Sequence, residues 1–290
     1  MTTTHILNTP EADIAYDVRG PLPTVDGRPP LFMIGQPMTG DGFNTLASHL
    51  PERTVITYDP RGLGRSTRSD GRVDNSPTVQ ATDVHAVIEA LGAGPVEMFA
   101  SSGGAVTALA LVAAYPEDVV TLVAHEPPLI PVLPDATAAA RAQAGTRDAY
   151  EANGRNAGMA AFIAMTSWRG EFTEDFFAQP APDPAAFGMP TDDDGSRDDP
   201  LLSDRSWAIT SYRPDVDALA AAATRVVIAV GEESEGTFTG RTSIATADLL
   251  GQRATVFPSH HGGFLGGEYG YPGQPENFAR KLREVLDDNG

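Results

Sequence analysis

Short, continuous apolar runs alternate along this chain with longer segments in which apolar residues recur every three or four positions. The apolar runs cover residues 31–34, 54–58, 96–100, 119–124, 224–231 and 254–257. Runs of this length are typical of strands that a parallel sheet buries on both faces. Segments with helical spacing or composition follow them, at residues 77–91, 103–115, 245–250 and 275–286. The alternation of strands and helices predicts an α/β fold with a doubly wound, mostly parallel sheet.

The alternation is interrupted between residues 127 and 218. This stretch contains a segment of helical composition at 136–152, an aromatic-rich segment at 159–168 and an acidic loop at 191–200. We therefore predict two units. Residues 1–126 and 219–290 would form a core domain, and residues 127–218 a helical cap inserted over the carboxyl ends of the strands. The large aromatic side chains of the insertion are expected to bury the cap against the core.

A serine lies where the strand at residues 96–100 meets the next helix. The local sequence, Ala-Ser-Ser-Gly-Gly at residues 100–104, is a relaxed form of the G-x-S-x-G motif, in which a serine occupies a tight turn from strand to helix. The turn needs small residues two positions before and two positions after the serine. Centring it on Ser101 would put Phe99 at one of those positions, so we predict Ser102 as the nucleophile. An ordinary strand–turn–helix connection is the alternative that this motif alone leaves open.

Three further motifs accompany the serine turn. They are Gly35-Gln36-Pro37 after the first buried strand, an Asp-x-Arg-Gly-x-Gly-x-Ser pattern at residues 59–66, and His-Gly-Gly at residues 261–263 before the last helix. In this order and spacing the motifs resemble those of the α/β-hydrolase superfamily, over nearly the whole chain. The resemblance implies a capped serine hydrolase without a cofactor. The pattern at 59–66 lacks the third glycine of a dinucleotide-binding loop, so we interpret it as a structural turn.

The resemblance also assigns the groups that would assist the serine. A serine needs a base to take its proton, and the family places its histidine after the last strand, where His261 precedes two glycines. His260 is then a neighbour. Two backbone N–H groups must stabilise the developing oxyanion, and we expect those of Gly103, directly after Ser102, and of Gln36. We also expect the Gln36 side chain to contact the substrate.

The resemblance also indicates which carboxylate would orient His261, although this chain departs from the usual pattern at one position. Most members of the superfamily supply it after the strand that follows the cap, but this chain has Ser234 at that position. Glu126 occupies a second position known in the superfamily, at the end of the strand after the nucleophile, and its turn looks similar to that of certain lactonases. We predict Glu126 as the acid, with Glu235 and then Glu233 as the alternatives.

Composition narrows the classes of function. The chain has no cysteine, which excludes disulfides, thiolate chemistry and cysteine-based zinc sites. No second ligand cluster accompanies the paired histidines at 260–261, so no metal is expected. A net charge of −19 disfavours nucleic acid and anionic membranes as partners. No apolar run reaches the roughly 18 residues of a membrane span, and residues 1–5 lack signal-peptide features, so we expect a cytoplasmic protein.

Together these observations predict an esterase or lactonase that cleaves a carboxylic ester or lactone of small to medium size and apolar character. Among the aromatic residues of the cap, Trp168, Phe172 and Trp207 are expected to bind the substrate together with Gln36. Hydrolysis of a C–C bond or a thioester by the same residues is one alternative, and a non-catalytic ligand-binding protein on the same fold is another. A homodimer is compatible with the sequence, which does not define the oligomeric state.

Overall fold

The computed structural model describes residues 2–288, which contain an eight-stranded sheet. Its strands are Thr2–Asn8 (β1), Asp13–Arg19 (β2), Leu31–Gln36 (β3), Val55–Tyr58 (β4), Val96–Ser102 (β5), Val119–His125 (β6), Arg225–Gly231 (β7) and Thr255–Phe257 (β8). They lie in the order β1-β2-β4-β3-β5-β6-β7-β8. β2 runs antiparallel to β1 and β4, and all other neighbours are parallel. This confirms the predicted α/β fold and its mostly parallel sheet.

Helices cover both faces of the sheet. They are Asn44–Ser48 (α1), Pro77–Leu91 (α2), Gly103–Ala114 (α3), Ala136–Ser167 (α4), Glu174–Phe177 (α5), Trp207–Thr210 (α6), Val216–Ala221 (α7), Phe238–Leu249 (α8) and Pro275–Asp287 (α9). One buried apolar cluster joins the sheet to α2 and α3, and a second joins it to α1 and α9. The sheet is therefore buried on both faces, as its continuous apolar runs require.

The strand order creates a crevice at one edge of the sheet. From β3 the chain moves to β4 on one side and then returns to β5 on the other side of β3. The connections that leave the carboxyl ends of β3 and β5 therefore go to opposite sides. In open α/β sheets, ligands bind at such a point, outside the carboxyl ends of the strands. Gln36 and Ser102 end these two strands and are paired in register.

Two helices differ from the expectation. α8 begins at Phe238 instead of near residue 245, because Thr237 caps its first turn by accepting a hydrogen bond from the amide of Gly240. Glycine is a poor helix former, which hides this turn from the sequence pattern. α4 extends to residue 167, well past the predicted helical segment at 136–152, and it is interrupted at Gly154, whose φ is 82°.

The segment at residues 59–66 is a structural turn. The buried Asp59 carboxylate accepts hydrogen bonds from the backbone amides of Gly40, at 3.0 Å, and Arg65, at 2.9 Å. Arg61 is buried and donates to the carboxylates of Asp83, at 2.7 Å, and Asp70, at 2.9 Å. These contacts use both side chains within the fold and leave neither available for a ligand, in agreement with the interpretation of the sequence.

Residues 127–218 carry α4, α5 and α6, and α7 spans the predicted boundary between residues 218 and 219. α7 packs against α3. The division into a core and a cap at residues 127–218 stays a prediction. Within residues 2–288, no helix combines the length and the apolar character that crossing a membrane requires.

Candidate active site

Ser102 is the last residue of β5, and α3 begins at the next residue. Its backbone has φ 57° and ψ −127°, a conformation that non-glycine residues adopt rarely and at a cost of about 1–3 kcal/mol. The surroundings are too close for side chains. A Cβ at Gly104 would lie 2.6 Å from the carbonyl oxygen of Ile34, and one at Gly103 would lie 2.9 Å from the Cβ of Gln36. The chain therefore turns sharply from strand to helix at Ser102.

The unusual backbone angle belongs to Ser102 and not to Ser101. Ser101 pairs with Gly35 and His125 inside the sheet and is buried, whereas Ser102 is half-buried. Both serines border the cavity described below. The turn thus has the geometry of the frame centred on Ser102, as the size of Phe99 predicted.

His261 and Glu126 form the closest polar contact of the site. The Nδ1 of His261 lies 2.7 Å from the Oε2 of Glu126, whose side chain is fully buried. Glu126 also accepts hydrogen bonds from the backbone amide of Gly231, at 2.9 Å, and from the hydroxyl of Thr239, at 2.5 Å. Each carboxylate oxygen therefore has a donor, and the imidazole is held by its Nδ1 with its other nitrogen unconstrained by this acid.

Glu126 is ionised at neutral pH. Burial alone raises the pKa of the Glu126 carboxyl, but the hydrogen bond from His261 and the nearby imidazoles of His261 and His125 oppose it, and the resulting pKa lies below the usual range. A hydrogen bond from the side chain of Ser234 lowers the pKa further. A buried carboxylate is tolerated only when donors compensate for its desolvation, and this one has several.

The alternative acids do not contact His261. Glu233 and Glu235 are exposed, and within the described part of the chain neither forms a hydrogen bond or ion pair with the imidazole. Arg169 instead donates to their backbone carbonyls. Ser234 occupies the position where most superfamily members have the acid, and its side chain interacts with Glu126.

Ser102 and His261 line the same cavity. Between residues 2 and 288 no hydrogen bond to the Ser102 hydroxyl is formed, from His261 or from any other side chain. Hydrogen bonds between a nucleophile and its base are often long in a free enzyme and shorten when substrate binds. The structure therefore brings the serine, the histidine and the acid to one place, with the contact from histidine to acid already made.

The expected oxyanion donors flank the serine. Gly103 is the first residue of α3, so its backbone amide belongs to the unpaired N–H groups at the positive end of that helix. Gln36 ends β3 opposite Ser102, and both residues border the cavity. Pro37 follows Gln36 and has no N–H to contribute. The role of these two amides as oxyanion donors stays a prediction.

His125 lies behind His261 and is fully buried. The two rings stack with centroids 6.1 Å apart. Four phenylalanine rings also lie around the His125 ring: Phe99, Phe257, Phe264 and Phe278. Neither ring nitrogen of His125 has a hydrogen-bond partner among the described residues. No sequence motif indicated a role for this histidine, although it directly precedes Glu126 in the chain.

His125 is expected to weaken the fold in mild acid. Burial lowers the pKa of His125 from 6.5 to about 4, against a smaller upward effect of Glu126. Between these values the unfolded chain binds a proton that the folded protein does not, so stability falls as pH falls. Between pH 7 and pH 5, this difference in proton binding lowers the free energy of unfolding by about 2 kcal/mol. Urea unfolding at pH 7 and pH 5 should show that the free energy of unfolding falls by about 2 kcal/mol less in His125→Leu than in the wild-type protein. An equal fall in the two proteins would contradict this role of His125.

A cavity of about 1680 Å³ opens at the carboxyl ends of the strands. Its floor contains Gln36, Ser102 and His261, and residues of α4 and α6 cover it. Ligand pockets commonly measure about 300–1,000 Å³, so this space admits substrates larger than the sequence suggested. Two side chains that the sequence analysis did not identify, Asn75 and Gln143, also line it.

The four residues expected to bind substrate occupy different places. Gln36 and Trp207 border the cavity. Trp168 and Phe172 are not among its lining residues, so their positions contradict the expectation for these two. Phe172 is buried and packs edge-to-face on Phe176, as Trp168 does. Both rings thus belong to an apolar cluster that also contains residues of α4, and large aromatic side chains suit such packing.

The other histidine of the pair, His260, contacts nearby backbone groups. The Nδ1 of His260 accepts a hydrogen bond from the amide of Gly262 at 3.0 Å, and its Nε2 lies 3.1 Å from the carbonyl oxygen of Pro272. His260 therefore supports the loop that carries His261. Across residues 2–288, no group of three or more histidine, cysteine, aspartate or glutamate side chains is arranged to hold a metal ion.

The sequence of this chain is similar to a known protein family and to a curated relative. A family model described as the alpha/beta hydrolase fold matches residues 31–199. A curated relative from Bacillus subtilis (strain 168), named uncharacterized hydrolase YraK, is 34% identical over 128 residues, which are 44% of this chain and 45% of that protein. The chain thus matches less than half of the relative's length.

Solved structures resemble the whole chain. An esterase from Exiguobacterium antarcticum has a TM-score of 0.68 at 20% identity, covering 99% of this chain and 100% of that chain. An alpha/beta hydrolase from Sphaerobacter thermophilus DSM 20745 has a TM-score of 0.61 at 21% identity, covering 97% of this chain and 100% of that chain. At these identities the likeness establishes a shared fold.

Proposed function

The chain belongs to the alpha/beta hydrolase fold family, and from that premise we propose that it is a serine hydrolase that cleaves a carboxylic ester or a lactone through an acyl-enzyme. The observation that carries the proposal is the 2.7 Å hydrogen bond between His261 and the buried Glu126, beside the serine of a strand-to-helix turn. Serine, histidine and carboxylate in this arrangement are the parts of a catalytic triad.

In the proposed acylation step, the Oγ of Ser102 attacks the carbonyl carbon of the substrate, and its proton moves to the Nε2 of His261. Glu126 holds the proton on Nδ1, which keeps Nε2 free to accept, and its charge stabilises the imidazolium that forms. The backbone amides of Gly103 and Gln36 donate to the oxygen that becomes negative. The tetrahedral intermediate then collapses, and the leaving alcohol takes the proton from His261.

Deacylation follows by the same route in reverse. His261 takes a proton from water, the resulting hydroxide attacks the acyl carbon, and Ser102 leaves with the proton that His261 returns. In a lactone the leaving alcohol stays attached to the acyl group, so the product is a single hydroxy acid. All of these steps use side chains and backbone groups of the chain itself, so the proposal requires no cofactor.

The proposal is tested by turnover of a panel of 4-nitrophenyl esters, lactones and thioesters, with acid release followed at constant pH. We expect cleavage of esters or lactones by the wild-type protein and none above background by Ser102→Ala. Preference for thioesters alone would move the assignment to that class. Tight binding of a panel compound with no cleavage of any would favour a non-catalytic binding protein and overturn the proposal.

A further inference from the structure

The Gln36 side chain is an unfavourable neighbour for an apolar substrate, because it carries a polar carboxamide. It is 4% exposed, and both its Oε1 and its Nε2 lack a hydrogen-bond partner within the described residues. A buried amide normally pairs both atoms, because an unpaired polar group loses its hydration without compensation. Gln36 borders the cavity, so its carboxamide can pair with a bound molecule by rotating toward the cavity.

The position of the Gln36 side chain indicates which part of the substrate lies near it. Gln36 is paired in register with Ser102 at the ends of β3 and β5. Its Cβ and Cγ pass over Gly103, where an added Cβ would lie 2.9 Å and 3.1 Å from them. The side chain therefore lies beside the reacting serine and the expected oxyanion donors. A substrate atom near Gln36 is close to the carbonyl that Ser102 attacks.

A second unpaired amide borders the same cavity. Asn75 is 5% exposed, and its Nδ2 has no partner in residues 2–288. Its backbone is fixed by a hydrogen bond from its own amide to the carbonyl of Arg205, at 3.1 Å. At least two residues that line the cavity thus carry a buried amide group with no partner among residues 2–288.

We propose that Gln36 selects substrates whose acyl group carries a hydroxyl on its third carbon, two bonds from the scissile carbonyl carbon. A hydroxyl donates one hydrogen bond and accepts others, so it can satisfy the Oε1 or the Nε2 of Gln36 where a methyl group satisfies neither. This inference rests on the proposed function and replaces the apolar substrate expected from the sequence with a hydroxyacyl ester or lactone. Sites built around buried polar groups discriminate strongly against analogues that leave them unpaired.

The test compares two activated esters of nearly equal shape, 4-nitrophenyl 3-hydroxybutanoate and 4-nitrophenyl 3-methylbutanoate. Dividing each kcat/KM by the rate of alkaline hydrolysis removes the difference in intrinsic reactivity. We expect the wild-type protein to prefer the hydroxy ester by about tenfold or more. Gln36→Met keeps the length of the side chain and the backbone amide but lacks the carboxamide, and it should bring the ratio close to one.

The matched control is Gln179→Met, because Gln179 is exposed and lies outside the cavity lining. It should keep the wild-type ratio. Labelling of Ser102 by a fluorophosphonate shows that each variant is folded with a competent serine. Labelled wild-type protein with no preference, with no turnover of either ester, or with a preference that Gln36→Met retains, overturns this inference alone. Absence of both labelling and turnover contradicts the proposed function instead.

Discussion

Ser102→Ala is expected to lower the turnover of a cleaved ester by about 10⁵-fold or more, because no other group can form the acyl-enzyme. The fold should survive, since alanine removes only the hydroxyl and the small side chain still fits the turn. The hydroxyl makes no hydrogen bond within residues 2–288 that its loss would break. Initial rates of the purified variant, together with its thermal unfolding midpoint, measure both expectations.

Ser101→Ala is the matched control for this prediction. It removes the same atom one residue earlier, from a side chain that is 3% exposed and lies within the sheet. We expect its turnover to stay within several-fold of wild type. If Ser101→Ala is inactive and Ser102→Ala is active, the turn has been centred on the wrong serine, despite the positive φ of Ser102.

Glu126→Gln is expected to lower turnover by about 10³- to 10⁴-fold. The amide has nearly the shape of the carboxylate, but it has only one acceptor oxygen for donors that include the amide of Gly231, the hydroxyl of Thr239 and the imidazole of His261. An NH₂ group facing His261 would favour the tautomer with hydrogen on Nε2, which cannot take the serine proton. The loss should appear in kcat more than in KM.

Glu233→Gln and Glu235→Gln control for the general effect of removing one negative charge near the site. Both residues are exposed, and neither is bonded to His261 in the described structure. They should keep near-wild-type turnover. A normal rate for Glu126→Gln combined with an inactive Glu233→Gln or Glu235→Gln would place the acid after β7 and contradict the present assignment.

The buried sheet and the serine turn could be predicted because their residues are constrained locally. A strand covered on both faces needs a continuous apolar run, and the turn at residues 100–104 tolerates only small neighbours. The choice of Ser102 over Ser101 followed from the size of Phe99 alone. The position of Glu126 needed the resemblance to a family, since no local pattern reveals that residues so far apart in the chain will meet.

The cavity wall could not be predicted in the same way. Trp168, Phe172 and Trp207 are all large aromatic residues of the stretch at 127–218, yet only Trp207 lines the cavity, whereas Trp168 and Phe172 pack on Phe176. His125 and Asn75 were missed for a related reason. Their importance comes from what surrounds them, an aromatic shell in one case and an unpaired amide in the other.

The most direct test of the account is the reaction of the protein with a fluorophosphonate, followed by intact mass measurement and peptide mapping. The account predicts one adduct per chain, located on Ser102, present in Ser101→Ala and absent in Ser102→Ala. Labelling should also slow markedly in Glu126→Gln, because an imidazole in the wrong tautomer cannot activate the serine. No adduct on the wild-type protein, or an adduct on any residue other than Ser102, would contradict it.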